Sequence, residues 1–411
     1  MPRTDALFAS PALRGPLARG MLVGGAAVGG AAAIGWAIAR RYRGGDDDQR
    51  MLDWEHATKV AIRVSGGDRP LDPADRLRLQ AEYEAMVRDI DGPISAYTGS
   101  TLPLGETDVR VLDRAQWIEA NVTNFKQLFE PLEDVYRLTL DRGFNVPGMT
   151  QASRMVLSTQ VGLLLGFLAR KVLGQYDISL LGKEPMDAGK LYFVEPNIEA
   201  LQRQLDVPAH DLRKWIALHE ATHAHEFEVY PWVRGYMNAQ LESYLRSMAD
   251  ELGNPSSVGV FSTLVGRMVE NLRNGHNLLE AAMSPHQRQM LSRLQALMSL
   301  AEGYSNHVMN RVGATLLPAY EEIHERVEHR QKQRGRAEEL FLRLTGLKMK
   351  MEQYALGEKF AARVADTRDV AFLNRAWQAP ELLPTEAEIR DPDSWIARMD
   401  ARHAVPRRAA S

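Results

Sequence analysis

The run His219-Glu220-Ala221-Thr222-His223 constrains this chain more than any other feature of its sequence. Two histidines four residues apart share a face only if the segment is helical. The flanks favour that helix: Asp206 and Pro208 act as start signals, Pro231 as a stop, and good helix formers fill the interval. At about 100° per residue from His219, His223 falls at about 40°, with Leu212, Trp215, Ile216, Thr222 and Phe227 within about 80°. Both imidazoles therefore project from an apolar face, flanked by Glu220. Ala217, Ala221 and Ala224 lie behind them, where small side chains let another element pack closely. Burying two histidines and a glutamate together is costly unless something compensates. A tetrahedral zinc ion would do so, with His219 and His223 as ligands and Glu220 reaching a coordinated water as general base. The alternative is a pair of hydrogen-bonded core histidines.

The chain contains no cysteine among its 411 residues, so any metal must be held by His, Asp or Glu. Disulfides and a thiol nucleophile are excluded as well. Fifty Lys and Arg stand against 53 Asp and Glu, for a net charge of −3, so no basic field suited to nucleic acid exists. Hydrophobic residues at 45% and charged residues at 25% indicate a globular protein.

A catalytic zinc site needs a third protein ligand. Ser284-Pro285-His286-Gln287 reads as a capping box opening a helix that runs to about residue 311. On that helix Glu302 is a lone carboxylate in a stripe with Leu291, Leu294, Met298, Ser305 and Met309. A metal or a buried arginine must meet it, and the metal is the expectation. Gly303 beside it permits close backbone approach. Asn306, one turn on, could orient a ligand histidine by hydrogen bonding. His307 faces elsewhere, and His276 is a further reserve ligand. His225 points away from the pair and reads as surface or as a residue behind the site. His324 and His329, five apart, cannot clamp one ion from one face of their charged helix. Tyr192, Tyr230, Tyr236 and His276 are open candidates for stabilising a developing oxyanion.

Residues 21 to 39 carry no charge over a length that spans a bilayer core, which predicts a single-pass membrane anchor. Gly25 and Gly29 would let two such helices approach as a dimer. Arg40, Arg41 and Arg43 outnumber Arg14 and Arg19, placing the large domain in the cytoplasm. The rival is export, since Ala37-Ile38-Ala39 has the form of a cleavage site. Residues 1–44 thus form an N-terminal region, 45–402 a mainly helical catalytic domain, and 403–411 a basic tail. Helical periodicity marks segments near 51–64, 72–91, 113–140, 152–172 and 259–273, with Gly92-Pro93, Pro147-Gly148 and Asn254-Pro255 as breaks. Gln175 to Leu180 and Leu191 to Val194 read as strands of a small sheet.

WIALHEATHAHEF with PWVRGYM, LAEGYSNHVMN, GQYDISLLG, YFVEPNI and LNRAWQAPELLPTEAEIRDPDSWIAR together resemble a zinc-dependent metalloprotease-like family of actinobacteria and chloroflexi. Its members are labelled hydrolases, and one branch is labelled coenzyme F420 biosynthesis-associated. The resemblance covers nearly everything after residue 50. It implies a mainly helical, zincin-like metallohydrolase core with His219, His223 and Glu302 as ligands and Glu220 as base. This chain departs from the family pattern at Tyr304, where His is usual, and at Asn306 and Asn310, where Asp is usual. An uncharged Asn306 would lack the carboxylate of a carboxylate–histidine–zinc triad. Three functions are in view. One is a membrane-tethered zinc peptidase with the strand Leu191–Val194 offering its edge to an extended peptide. The others are a zinc hydrolase of a small molecule linked to cofactor metabolism, and a non-catalytic zinc scaffold.

Overall fold

The structure, a computed structural model, describes residues 50–66, 70–101, 107–141, 151–176, 190–253, 284–332 and 347–404. The predicted anchor at 21–39, the helix near 259–273, His276 and residues 405–411 of the basic tail lie outside the described residues. No helix among the described residues is long and apolar enough to cross a membrane.

Helices dominate, as the periodicity predicts. In chain order they are α1 (Trp54–Ser65), α2 (Pro73–Thr98), α3 (Arg114–Asp141), α4 (Gln151–Ala169), α5 (Glu195–Leu205), α6 (Ala209–Val229), α7 (Trp232–Gly253), α8 (Pro285–Leu316), α9 (Tyr320–Lys332), α10 (Leu347–Thr367) and α11 (Pro392–Ala404), with short turns of helix between the last two. Helix α2 continues through Gly92-Pro93, which the sequence reads as a break. Pro93 forfeits one ladder hydrogen bond, but Ile90 and Ile94 on either side are fully buried, and that packing offsets the loss. Asp206 also differs from its expected role. Its φ of 54° puts it in the left-handed region, where its N–H bonds the Gln202 carbonyl and closes α5 rather than opening α6. Pro208 alone precedes α6.

The sheet has three strands in the order β1 (Asp108–Leu112), β3 (Lys190–Val194), β2 (Gly174–Tyr176). β1 pairs parallel to β3, and β2 pairs antiparallel to it. The strand expected to offer a free edge is therefore the central one, covered on both sides. The alternating run Asp108-Val109-Arg110-Val111-Leu112 fills that edge, burying Val109 and Val111.

Two cores share the molecule. The larger gathers α2, α5, α6, α8, α10 and α11 around the sheet, and the smaller packs α1, α3 and α4 and meets it at Val194. Helix α6 lies at the centre of the larger core. Leu212, Ile216, Ala217, Leu218, Ala221, Thr222, Ala224 and Phe227 are all buried, so it is enclosed on nearly every side. Arg213 fixes its axial position. The guanidinium donates from Nε at 2.9 Å and from Nη2 at 2.5 Å to Glu195, a carboxylate with no exposure that also accepts from Tyr83 Oη at 2.9 Å. Removing one partner would strand a buried charge, at a cost of about 3–5 kcal/mol.

Candidate metal centre

Helices α6 and α8 cross so that His219, His223 and Glu302 converge. One donor atom from each lies within 4.8 Å of the other two. The Nε2 atoms of His219 and His223 stand 3.3 Å apart, and Glu302 Oε2 is 3.9 Å from His219 Nε2. The three side chains are between 12% and 24% exposed, enough for a small molecule to reach them. Close packing behind Glu302 sets its depth. A Cβ on Gly303 would lie 2.0 Å from the Gly357 carbonyl carbon, and one on Gly357 would lie 1.8 Å from the Ser299 carbonyl oxygen. Only two glycines permit α8 and α10 to touch at this level.

The remaining ring nitrogens have partners of their own. His223 Nδ1 lies 3.0 Å from Glu226 Oε2, a carboxylate buried one turn along α6. His219 Nδ1 lies 3.2 Å from Ser305 Oγ and 3.1 Å from Met309 Sδ, both buried on α8. These contacts place the protons on Nδ1 and turn the Nε2 lone pairs inward. Burial and the neighbouring charge on His223 push His219 down to about 3. Burial also works against a charged His223, but the carboxylates of Glu226, Glu302 and Glu220 outweigh it and raise the group to about 10. Two nitrogens about 2.05 Å from one tetrahedral zinc stand about 3.3 Å apart, so the observed spacing suits a shared ion.

Glu220 is buried beside this cluster. Its Oε2 accepts the Tyr176 N–H at 2.9 Å. Residues 174 and 176 of β2 point their backbone groups away from β3, as antiparallel alternation requires, so the sheet edge itself holds the carboxylate. A Cβ on Gly174 would lie 2.6 Å from Glu220 Cγ, and only glycine leaves space there. Burial pushes the Glu220 carboxyl up to about 7; His223 opposes this and Glu302 adds to it. Glu226 is raised to about 7 by burial as well, against the pull of His223.

Three of the five predicted site residues thus supply converging donors, and Glu220 adjoins them. Asn306 differs. Among the described residues it hydrogen-bonds neither histidine; Ser305 and Glu226 occupy the orienting positions instead. The carboxylate that Asn306 lacks is therefore supplied to His223 by Glu226. The helical angle of Glu226, about −20° from His219, carries that signal in the sequence. Ser305 and Met309 share the Glu302 stripe but read there as packing. Gly174 and the Tyr176 N–H have no local signature.

Three other histidines have partners away from the cluster. His225 faces away from the pair, as its angle predicts, but is buried rather than at the surface. Its Nδ1 is 3.3 Å from Ser100 Oγ and its Nε2 is 3.5 Å from Asp91 Oδ1, which ties α6 to the end of α2. His307 is buried with its Nε2 2.6 Å from Tyr97 Oη. His324 sits 3.5 Å from Glu328 on the exposed helix α9. Of the oxyanion candidates, Tyr192 is buried in β3, Tyr230 stacks on Trp377 and Tyr236 abuts Trp232.

Comparison with known proteins gives the family of the chain. A crystal structure from Chloroflexus aurantiacus, described as a "putative hydrolase with a novel fold", is similar with a TM-score of 0.63 and 40% identity. The match covers 85% of this chain and 99% of that one. No curated protein matches. The profile of the zincin-like metallopeptidases matches residues 52–396, which include both site helices and every strand of the sheet. The chain belongs to the zincin-like metallopeptidase family.

Proposed function

We propose that this protein is a membrane-tethered zinc hydrolase, and specifically a peptidase, in which His219, His223 and Glu302 hold Zn2+ and Glu220 is the general base. The observation that carries this reading is the Glu220 carboxylate, buried next to three converging donors and clamped by the edge of β2. A purely structural ion would need no such group. When bound, Zn2+ supplies a Lewis acid and lowers the pKa of a coordinated water to about 7.

The chain's own groups perform the rest. Glu220, raised toward neutrality by burial, accepts a proton from the attacking water and returns it to the leaving amine. The Tyr176 N–H fixes one carboxylate oxygen, so the group approaches from a single direction. Glu226 and the Ser305–Met309 pair keep each imidazole in the tautomer that presents Nε2. Tethering rests on the uncharged stretch at 21–39 and its following arginines.

Glu220→Gln tests the reading. The substitution keeps the shape and the Tyr176 contact but removes the base. Zinc content should stay at wild-type level while cleavage of a peptide library falls by about 100-fold or more. Equal activity in the variant, or no zinc-dependent peptide cleavage by the wild type, would contradict the assignment.

A further inference from the structure

The runs GQYDISLLG and PWVRGYM meet beside the candidate base without entering the metal centre. Tyr176 comes from the first and Arg234 from the second, and Glu228 of α6 stands between them. The Tyr176 hydroxyl donates to Glu228 Oε1. Arg234 Nη2 donates to Tyr176 Oη at 3.1 Å and to Glu228 Oε1 at 3.2 Å. The three groups close a network in which the phenol accepts from the guanidinium and gives its own proton to the carboxylate. Arg234 is 15% and Glu228 28% exposed, so these charge-assisted bonds are partly withdrawn from water and hold better than an open surface pair.

The network acts on a short strand. β2 is three residues long and lies at one end of the strand order, and its pairing with β3 turns the Tyr176 N–H outward onto Glu220 Oε2. Successive side chains of a strand point to opposite faces, and β2 is anchored on both. Gln175 accepts from Trp117 Nε1 at 2.7 Å on one face. On the other, the Tyr176 ring stacks on Phe227 with centroids 6.0 Å apart, and its hydroxyl is held by Arg234 and Glu228. Arg234 starts from fixed ground. Val233 beside it is fully buried, and Trp232 Nε1 donates to the Trp377 carbonyl at 2.7 Å. Holding Tyr176 at its far end restrains slide and twist of the strand, and the direction of its N–H follows from both.

We propose that Arg234 is a positioning residue for the reaction: with Glu228 it fixes the Tyr176 side chain, and through it the backbone N–H that aims Glu220. This inference rests on the reading of Glu220 as the general base. A base must be held within about 0.5 Å and about 10–20° of its productive geometry, and a misplacement of about 1 Å costs about 100-fold in rate. Arg234 and Glu228 lie outside the three converging donors, so the network bears on turnover and not on the hold on zinc.

The Tyr176 amide itself reports on the clamp. Full-length protein labelled with nitrogen-15 tyrosine gives at most 12 tyrosine amide signals, and Tyr176→Phe identifies the one that belongs to Tyr176 by its loss. Hydrogen exchange is read with chelator present, which makes it independent of the metal. In Arg234→Met the Tyr176 amide should exchange about tenfold faster or more. Arg234→Lys, which keeps one donor nitrogen for both partners, should restore protection. With zinc added, kcat for peptide cleavage should fall about tenfold in Arg234→Met, with KM and zinc content at wild-type level. Should Arg234→Met not fold by circular dichroism, Tyr176→Phe labelled on phenylalanine takes its place under the same criteria. Unchanged exchange would overturn the proposal and leave the base reading standing. Faster exchange with kcat unchanged, or with zinc lost in proportion, would show a structural role only and would overturn it too. Absence of zinc-dependent cleavage by the wild type would remove the base reading, and the proposal with it.

Discussion

Individual side chains in this site act less through their own chemistry than through what buries them. His307 illustrates it outside the metal cluster. Burial, helped by the Arg311 guanidinium, pushes its pKa from 6.5 to about 4, and the Tyr97 hydroxyl contacts its Nε2. Between these values the unfolded chain binds a proton that the folded chain refuses. The residue's contribution to stability is thus complete above pH 6.5 and is lost as pH falls toward 4. A shift of this size corresponds to about 3 kcal/mol. In urea unfolding with chelator present, the wild type should lose about 2–3 kcal/mol more than His307→Gln between pH 7 and pH 4.5. Parallel profiles would show that His307 does not titrate in this way. The sequence shows that His307 faces away from Glu302, but not that Tyr97 waits for it, because that partner is 210 positions away in the chain.

At the scale of elements, the decisive contact is between α8 and α10. Gly303 allows close approach in principle, but the matching Gly357 is what lets α8 present Glu302 at the depth of the histidines. Gly303→Ala must push the two helices apart. It should lower stability by about 1–3 kcal/mol and weaken zinc affinity, since Glu302 moves with its helix. Gly235→Ala is the control. Nothing lies within 4 Å of its Cβ position on α7, so it should be neutral or stabilising by about 0.5–1 kcal/mol. Urea midpoints and zinc titrations of both variants check this, and equal behaviour would remove the special role of the crossing. Helix type and the capping box at Ser284 were legible because they depend on residues within one or two turns. The sheet was less so. Two short strands could be read, but β1 could not, and its parallel pairing with β3 joins residues 82 positions apart. The continuity of α2 through Pro93 was hidden for a similar reason, since burial by other elements decided it.

For the molecule as a whole, the fold serves to bring two helices and one sheet edge to the same place. The proposed ligand pair and proposed base lie within five consecutive residues, and a helix fixes their geometry locally. Glu302 was legible as a charge with no business in an apolar stripe. The orienting groups were not assigned, because Glu226, Ser305 and Met309 acquire meaning only once α6 and α8 cross. All of these roles presuppose that one ion is held jointly by both helices. The most direct test is the zinc content of purified full-length wild type, Glu220→Gln and Glu302→Ala after incubation with zinc and removal of excess. Folding of each is checked by circular dichroism. The account predicts about one equivalent in the wild type and in Glu220→Gln, and less than about a tenth in folded Glu302→Ala. A full equivalent of zinc retained by Glu302→Ala, or none taken up by the wild type, would contradict it.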